Sequence, residues 1–203
     1  MMIIGKWNKS VILTYIGLIF SIFGIFICIT KENSINIAMC CLIISGICDL
    51  FDGFIARKCK RTEEEKMFGI QLDSLVDVVN FIAFPIVIFI NINSYYNLLA
   101  FIIFGICGIA RLADFNIKVE NSGQPIKYYT GLPVTYTALI FPLIYLLKYI
   151  LPLNLFNIIF TISIYLVSVL NVLNIKLLKP KGIAYLFFSF LAIIVLVLYW
   201  GVL

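Results

Sequence analysis

Histidine is absent from this sequence, so neither an imidazole base nor a His-ligated zinc or copper site is open to it. Charge is scarce as well. Only 12% of residues are charged and 63% are hydrophobic, with a mean hydropathy of +1.11. Soluble domains carry about 25% charged residues, and a water-soluble protein this apolar would expose large aggregating patches. The bilayer is the natural solvent, and a length of 203 residues predicts one domain. No CxxC pair occurs among the six cysteines, Cys28, Cys40, Cys41, Cys48, Cys59 and Cys107. Without metal or redox spacing they read as small apolar membrane residues. The N-terminal basic residues and apolar run resemble a signal peptide. No small-residue cleavage site follows and further apolar runs do, which predicts a retained first span.

What the chain does have is apolar runs of membrane-crossing length, roughly 20 residues each. Seven stretches qualify, at 11–30, 35–56, 69–92, 95–116, 132–150, 153–175 and 182–202. The expected fold is therefore an all-α integral membrane protein, a bundle of six to seven transmembrane helices. With the N-terminus in the cytoplasm, Lys6, Lys9, Arg57, Lys58, Lys60, Arg61, Lys66, Arg111, Lys118, Lys127, Lys176, Lys179 and Lys181 fall inside. That is 13 of the 15 basic residues, leaving Lys31 and Lys148 outside, as the positive-inside rule requires. Trp7, Tyr95, Tyr96, Tyr128, Tyr129 and Trp200 fall near span ends, as an aromatic belt would. The net charge of +5 then points to an anionic membrane surface and not to nucleic acid.

Four of the five aspartates lie in or at the ends of spans two and three: Asp49, Asp52, Asp73 and Asp77. An ionised side chain in the membrane costs at least ~2.5 kcal/mol, and four together repel. Divalent cations would compensate them, because carboxylate clusters suit hard metals such as Mg²⁺, Mn²⁺ or Ca²⁺. Asp49 and Asp52 are three residues apart and Asp73 and Asp77 four apart, so each pair shares one helix face. A short cytoplasmic connection makes the two spans antiparallel neighbours, with both pairs within about three turns of it. The competing expectation is structural salt bridging to Arg57, Lys58 or Lys66. Gly46, Gly53, Ala56 and Gly69 surround the acids and permit close approach of a helix or a ligand. Arg57, one turn after Gly53, suits a diphosphate, or else simply anchors the span.

The residues Asp49-Leu-Phe-Asp52-Gly53-Phe-Ile-Ala56-Arg57, followed by Gly69-Ile-Gln-Leu-Asp73-Ser-Leu-Val-Asp77, resemble the signature of the CDP-alcohol phosphatidyltransferases. The eleven-residue gap between the two halves, with Glu63, Glu64 and Glu65, is longer than is usual for that family and reads as a solvated loop extension. Further segments resemble one branch, the phosphatidylserine synthases. These are Phe68 to Asp77 with Pro85 after it, Gly108-Ile-Ala-Arg-Leu-Ala-Asp-Phe-Asn116, Tyr129-Thr-Gly-Leu-Pro133, and Asn8-Lys-Ser-Val-Ile-Leu-Thr14. The motif-bearing resemblance covers residues 6–135, and the remainder matches only as generic spans.

The resemblance implies a single transmembrane domain of that family over residues 1–203. It implies two divalent metal ions, Mg²⁺ or Mn²⁺, at Asp49, Asp52 and Asp73, with Asp77 at the edge of the metal site as general base. Gly53, Ala56 and Gly69 would let the nucleotide of CDP-diacylglycerol lie against the helices, with Arg57 on phosphate. Homodimers are implied too. Arg111 and Asp114, with Asn116 and Lys127 nearby, offer a cation and an acceptor for the carboxylate and ammonium of L-serine; alternatively Arg111 and Asp114 only pair with each other. Sister activities with glycerol 3-phosphate or an inositol phosphate as acceptor, an ether-lipid donor, and a cation transporter remain as alternatives. The acids are confined to two spans near one face, which argues against the transporter.

Overall fold

The computed structural model describes residues 5–32, 34–92, 97–122, 128–178 and 182–201. Among these residues seven helices follow in order: α1 (Ile12–Thr30), α2 (Ile35–Lys58), α3 (Glu63–Ile92), α4 (Leu98–Ser122), α5 (Val134–Tyr149), α6 (Leu153–Val172) and α7 (Ile183–Trp200). Six of them are long and apolar enough to cross a membrane, and α5 is a shorter apolar helix. The fold is all-α and multi-pass, as the sequence implies. Apolar side chains such as Ile19, Phe26, Ile106 and Leu186 lie exposed on helix surfaces, which in a bilayer is contact with lipid. All six cysteines are free.

Whether α5 crosses is decided by a short ribbon. Strand β1 (Tyr128–Thr130) pairs antiparallel with β2 (Lys176–Leu178), Thr130 opposite Lys176. One strand precedes α5 and the other follows α6, so both ends lie at one side. Helix α6 is 20 residues long, about 30 Å, so its start lies across the membrane from the ribbon. The residues between β1 and α6 must therefore traverse the bilayer. The ends of α5 are 3₁₀ turns, Val134–Tyr136 and Leu146–Tyr149, whose larger rise lengthens a short helix.

Helix α2 is central, packing against α1, α5 and α7. Its contact with α1 is close because Gly17, Ser21 and Gly24 form a small-residue stripe on the buried face of α1. A Cβ at Gly24 would lie 2.2 Å from the Phe84 ring and 3.1 Å from Cys41. Farther from the ribbon, Phe89, Phe104, Phe141 and Phe160 fill the core with edge-on contacts, Phe89 and Phe141 being 4.6 Å apart.

Helix α3 departs from expectation at both ends of its acidic segment. Glu63 to Glu65, expected in a solvated loop, are its first turn, with Glu63 and Glu64 exposed and Glu65 half-buried. Thr62 caps it, with Thr62 Oγ1 accepting from the Glu65 amide at 3.2 Å and Glu65 Oε2 accepting from the Thr62 amide at 2.7 Å. This reciprocal box satisfies two free amides, and acidic residues suit the positive end of a helix. Below the aspartates, α3 passes through a π turn at Val79–Ala83. Pro85 cannot donate to the Phe81 carbonyl one turn back. Thr137 Oγ1 of α5 donates to Val134 O at 2.7 Å and lies 3.3 Å from the Phe81 carbonyl, a weaker second contact.

Candidate active site

Residues 59–62 alone connect α2 to α3, so the helices run antiparallel and their acidic faces meet. Asp49, Asp52 and Asp73 each offer a carboxylate oxygen, and these oxygens lie within 4.8 Å of one another. Asp77 lies within side-chain hydrogen-bonding reach of Asp49, as Asp73 does of Asp52. Asp52 and Asp77 are buried, each 8% exposed. Thr14 Oγ1 of α1 donates to Asp52 Oδ2 at 2.9 Å and fixes that carboxylate. A donor set of carboxylate oxygens without nitrogen or sulfur is that of a hard divalent cation. The residues present therefore fit such an ion.

Two of the three basic residues offered as structural partners go elsewhere. Lys66 pairs with Glu63 at 2.6 Å, and Lys58 sits over the Phe54 ring, 4.1 Å from its centre.

All four aspartates line a polar cavity of about 180 Å³. Gly53 and Arg57 line it too, and a Cβ at Gly53 would lie 3.6 Å from Arg57 Nη1. Ala56 and Gly69 are not among the lining residues. Both are half-buried, and Gly69 faces Arg61 and Val11.

Arg111 enters the same cavity from α4. It is 6% exposed, with its guanidinium 4.9 Å from the Phe115 ring centre and 5.7 Å from that of Tyr129. Among the described residues its Nε has no hydrogen-bond partner. Asp114 does not join it. Asp114 points outward and pairs with Lys118 at 2.6 Å, because Lys118 lies one turn along the exposed face. Asn116 accepts from Ser74 Oγ at 2.9 Å and tethers α4 to α3 without lining the cavity. Lys127 lies outside the described residues, as do Tyr95 and Tyr96.

Three tyrosines complete the wall: Tyr129, Tyr136 and Tyr185. Tyr129, expected in an aromatic belt, is half-buried, and burial raises its phenol above the usual range. The ribbon turns it inward. Gly131, with φ +71°, follows β1, and a Cβ there would lie 2.3 Å from the Asn171 carbonyl oxygen. Only glycine permits that seam, which is closed by Gly131 N donating to Ile175 O at 2.9 Å and Leu132 N to Leu170 O at 2.8 Å. Tyr185 comes from α7, beyond every motif in the sequence.

Two antiparallel spans thus carry the carboxylates, and α4 brings a buried arginine beside them. The chain belongs to the CDP-alcohol phosphatidyltransferase family, whose model matches residues 7–200. It is 29% identical over 145 residues to the archaetidylserine synthase of Methanothermobacter thermautotrophicus, covering 70% of this chain and 60% of that protein. It is 35% identical over 115 residues to the CDP-diacylglycerol–serine O-phosphatidyltransferase of Saccharomyces cerevisiae, covering 52% of this chain and 41% of that protein. The protein of the same name from Methanocaldococcus jannaschii is 37% identical over 100 residues, 49% of this chain and 45% of that one. The chain spans about half the length of the curated relatives it matches.

Proposed function

We propose that this chain is a phosphatidylserine synthase. It transfers the phosphatidyl group, or its ether-linked counterpart, from a CDP-linked lipid to the hydroxyl of L-serine and releases CMP. The observation that carries the reading is the convergence of four carboxylates, Arg57 and Arg111 on one cavity. The names of the relatives support serine as the acceptor.

Asp49, Asp52 and Asp73, with Asp77 at the edge, would hold two divalent cations. When bound, such cations supply charge neutralisation for a diphosphate and for a departing CMP. Arg57 pairs with the diphosphate at the cavity mouth, where the lack of a side chain at Gly53 leaves room. Arg111 receives the serine carboxylate. Asp77 takes the proton from the serine hydroxyl as its oxygen bonds to the lipid-side phosphorus. The bond from that phosphorus to the CMP oxygen breaks, and CMP leaves with the electron pair. Phosphoryl chemistry of this kind rests on positioning and charge stabilisation, so no histidine is needed.

The cavity opens, in this reading, at the cytoplasmic face, supported by the basic residues at the α2–α3 end of the bundle. Two copies form the working unit, and the whole chain acts as one domain. An acceptor panel tests the assignment. With purified protein and CDP-diacylglycerol, CMP release should follow serine and not glycerol 3-phosphate, inositol or inositol phosphate. Preference for a phosphorylated acceptor would overturn it.

A further inference from the structure

We propose that Arg61, with the turn Lys9–Val11 that packs beside it, binds the phosphate of an anionic membrane lipid at a site separate from the carboxylate cavity. Arg61 lies in the α2–α3 connection and is half-buried. Its Nη1 and Val11 Cγ1 each lie 3.9 Å from where a Cβ on Gly69 would stand. None of Val11, Arg61 and Gly69 lines the carboxylate cavity. The proposal therefore stands apart from the catalytic reading.

Two buried polar atoms at this junction lack a partner among the described residues. One is Arg61 Nε and the other is Ser10 Oγ, in a residue only 3% exposed. A shielded donor without an acceptor forfeits its hydration and gains nothing in return. Three carboxylates follow Arg61 in sequence, yet each is committed elsewhere. Glu63 pairs with Lys66 and Glu64 with Lys6. Glu65 accepts from Asn8 Nδ2 at 3.0 Å and from the Thr62 amide. Asn8 Nδ2 also lies 3.3 Å from the Lys60 carbonyl oxygen, which ties the N-terminal segment to the connection and holds the junction in place. Lys9 and Lys60 are exposed at either side of Arg61. The unmet need is for an acceptor with negative charge, and a phosphate supplies both.

Depth selects lipid as its source. Along α3 the exposed residues change from Glu63, Glu64 and Lys66 to Met67, Ile70 and Leu75. That change marks where headgroups give way to hydrocarbon, and Gly69 lies beside it. Trp7, exposed and stacked on Tyr15 at 5.2 Å, is an interfacial anchor at the same end. A phosphate held here carries acyl chains that continue along the exposed apolar face of α3.

Trp7 also reports on the site. A Cβ at Gly5 would lie 3.2 Å from Trp7 Nε1 and 3.4 Å from the ring of Phe68, the residue before Gly69. Of the two tryptophans, Trp200→Phe leaves Trp7 alone. The test is quenching of Trp7 in full-length protein reconstituted into mixtures of phosphatidylcholine and phosphatidylglycerol, one or the other brominated high in its acyl chains. Phosphatidylglycerol should be preferred about fivefold or more. Arg61→Gln should bring the two lipids to near equality. Lys66→Gln, which removes an exposed charge paired with Glu63, should leave the preference unchanged. Arg61→Lys keeps the charge without Nε, and it should fall between wild type and Arg61→Gln; it decides the matter if Arg61→Gln does not fold. Excess inorganic phosphate should not displace the lipid. Equal quenching by both lipids in wild type, a preference that survives in Arg61→Gln or is complete in Arg61→Lys, or an equal loss in Lys66→Gln would each overturn the site. Displacement by inorganic phosphate would overturn lipid as the ligand.

Discussion

Replacing Arg111 by alanine separates the two substrates. Its guanidinium is buried, flanked by Phe115 and Tyr129, in the cavity that holds the aspartates, and its Nε has no partner among the described residues. Asp114, its expected partner, is taken by Lys118. If Arg111 receives the serine carboxylate, the variant loses a charge-assisted hydrogen bond worth about 1.5–3 kcal/mol. At 1.4 kcal/mol per decade, the serine KM should rise about ten- to a hundredfold. The donor KM should change little, because Arg57 and the carboxylates are untouched. Arg111→Lys keeps the charge but not the planar fork, so its serine KM should fall between the two. The assay is steady-state kinetics with each substrate varied separately, on variants shown by gel filtration to be folded. An unchanged serine KM in folded Arg111→Ala would refute the assignment. An equal rise in both KM values would do the same.

Asp77→Asn should lose turnover yet retain most of its affinity for the CDP-lipid, whereas Asp49→Asn should weaken donor binding as well. Identical binding and rate profiles would contradict the division of labour. In a background with the six native cysteines replaced, an impermeant thiol reagent applied outside intact cells should label Ile150→Cys and spare Glu64→Cys; the reverse pattern inverts the topology. Gly131→Ala should lower Tm and activity together, since the new Cβ meets the Asn171 carbonyl at 2.3 Å in a left-handed backbone, a conformation costing roughly 1–3 kcal/mol. An unchanged Tm in Gly131→Ala would contradict the packing argument.

The carboxylate cluster was legible in the sequence because helical spacing and a short connection leave little freedom: acids at i, i+3 and i, i+4 on adjacent antiparallel spans must meet. Spacing was less informative on α4. It puts Arg111 and Asp114 near one another, yet a helix offers each residue neighbours both ways, and Lys118 is the partner that keeps Asp114 in solvent. Tyr129 was misplaced because its position near a span end is also that of a belt residue. Only the pairing of β1 with β2, distant in sequence, turns it inward. The same pairing supports the crossing of α5, which the apolar run at 132–150 suggested, although the helix itself is short. Tyr185 gave no signal, because a tyrosine in an apolar span carries none until tertiary packing brings α7 against α2. The acidic run before α3 looked like loop for its charge, although Thr62 with Glu65 three residues on is a capping box that could have been recognised. The π turn has no local signature beyond Pro85.

The central claim is that the carboxylate cavity is a metal-dependent phosphatidyl-transfer site. Release of CMP by purified protein, with the CDP-lipid, the divalent cation and L-serine omitted in turn, tests it most directly. CMP and the serine phospholipid should form in equal amounts only when all three are present. Excess chelator should abolish both, and Mg²⁺ or Mn²⁺ should restore them. Full activity in excess chelator, or CMP release that ignores serine, would contradict the account.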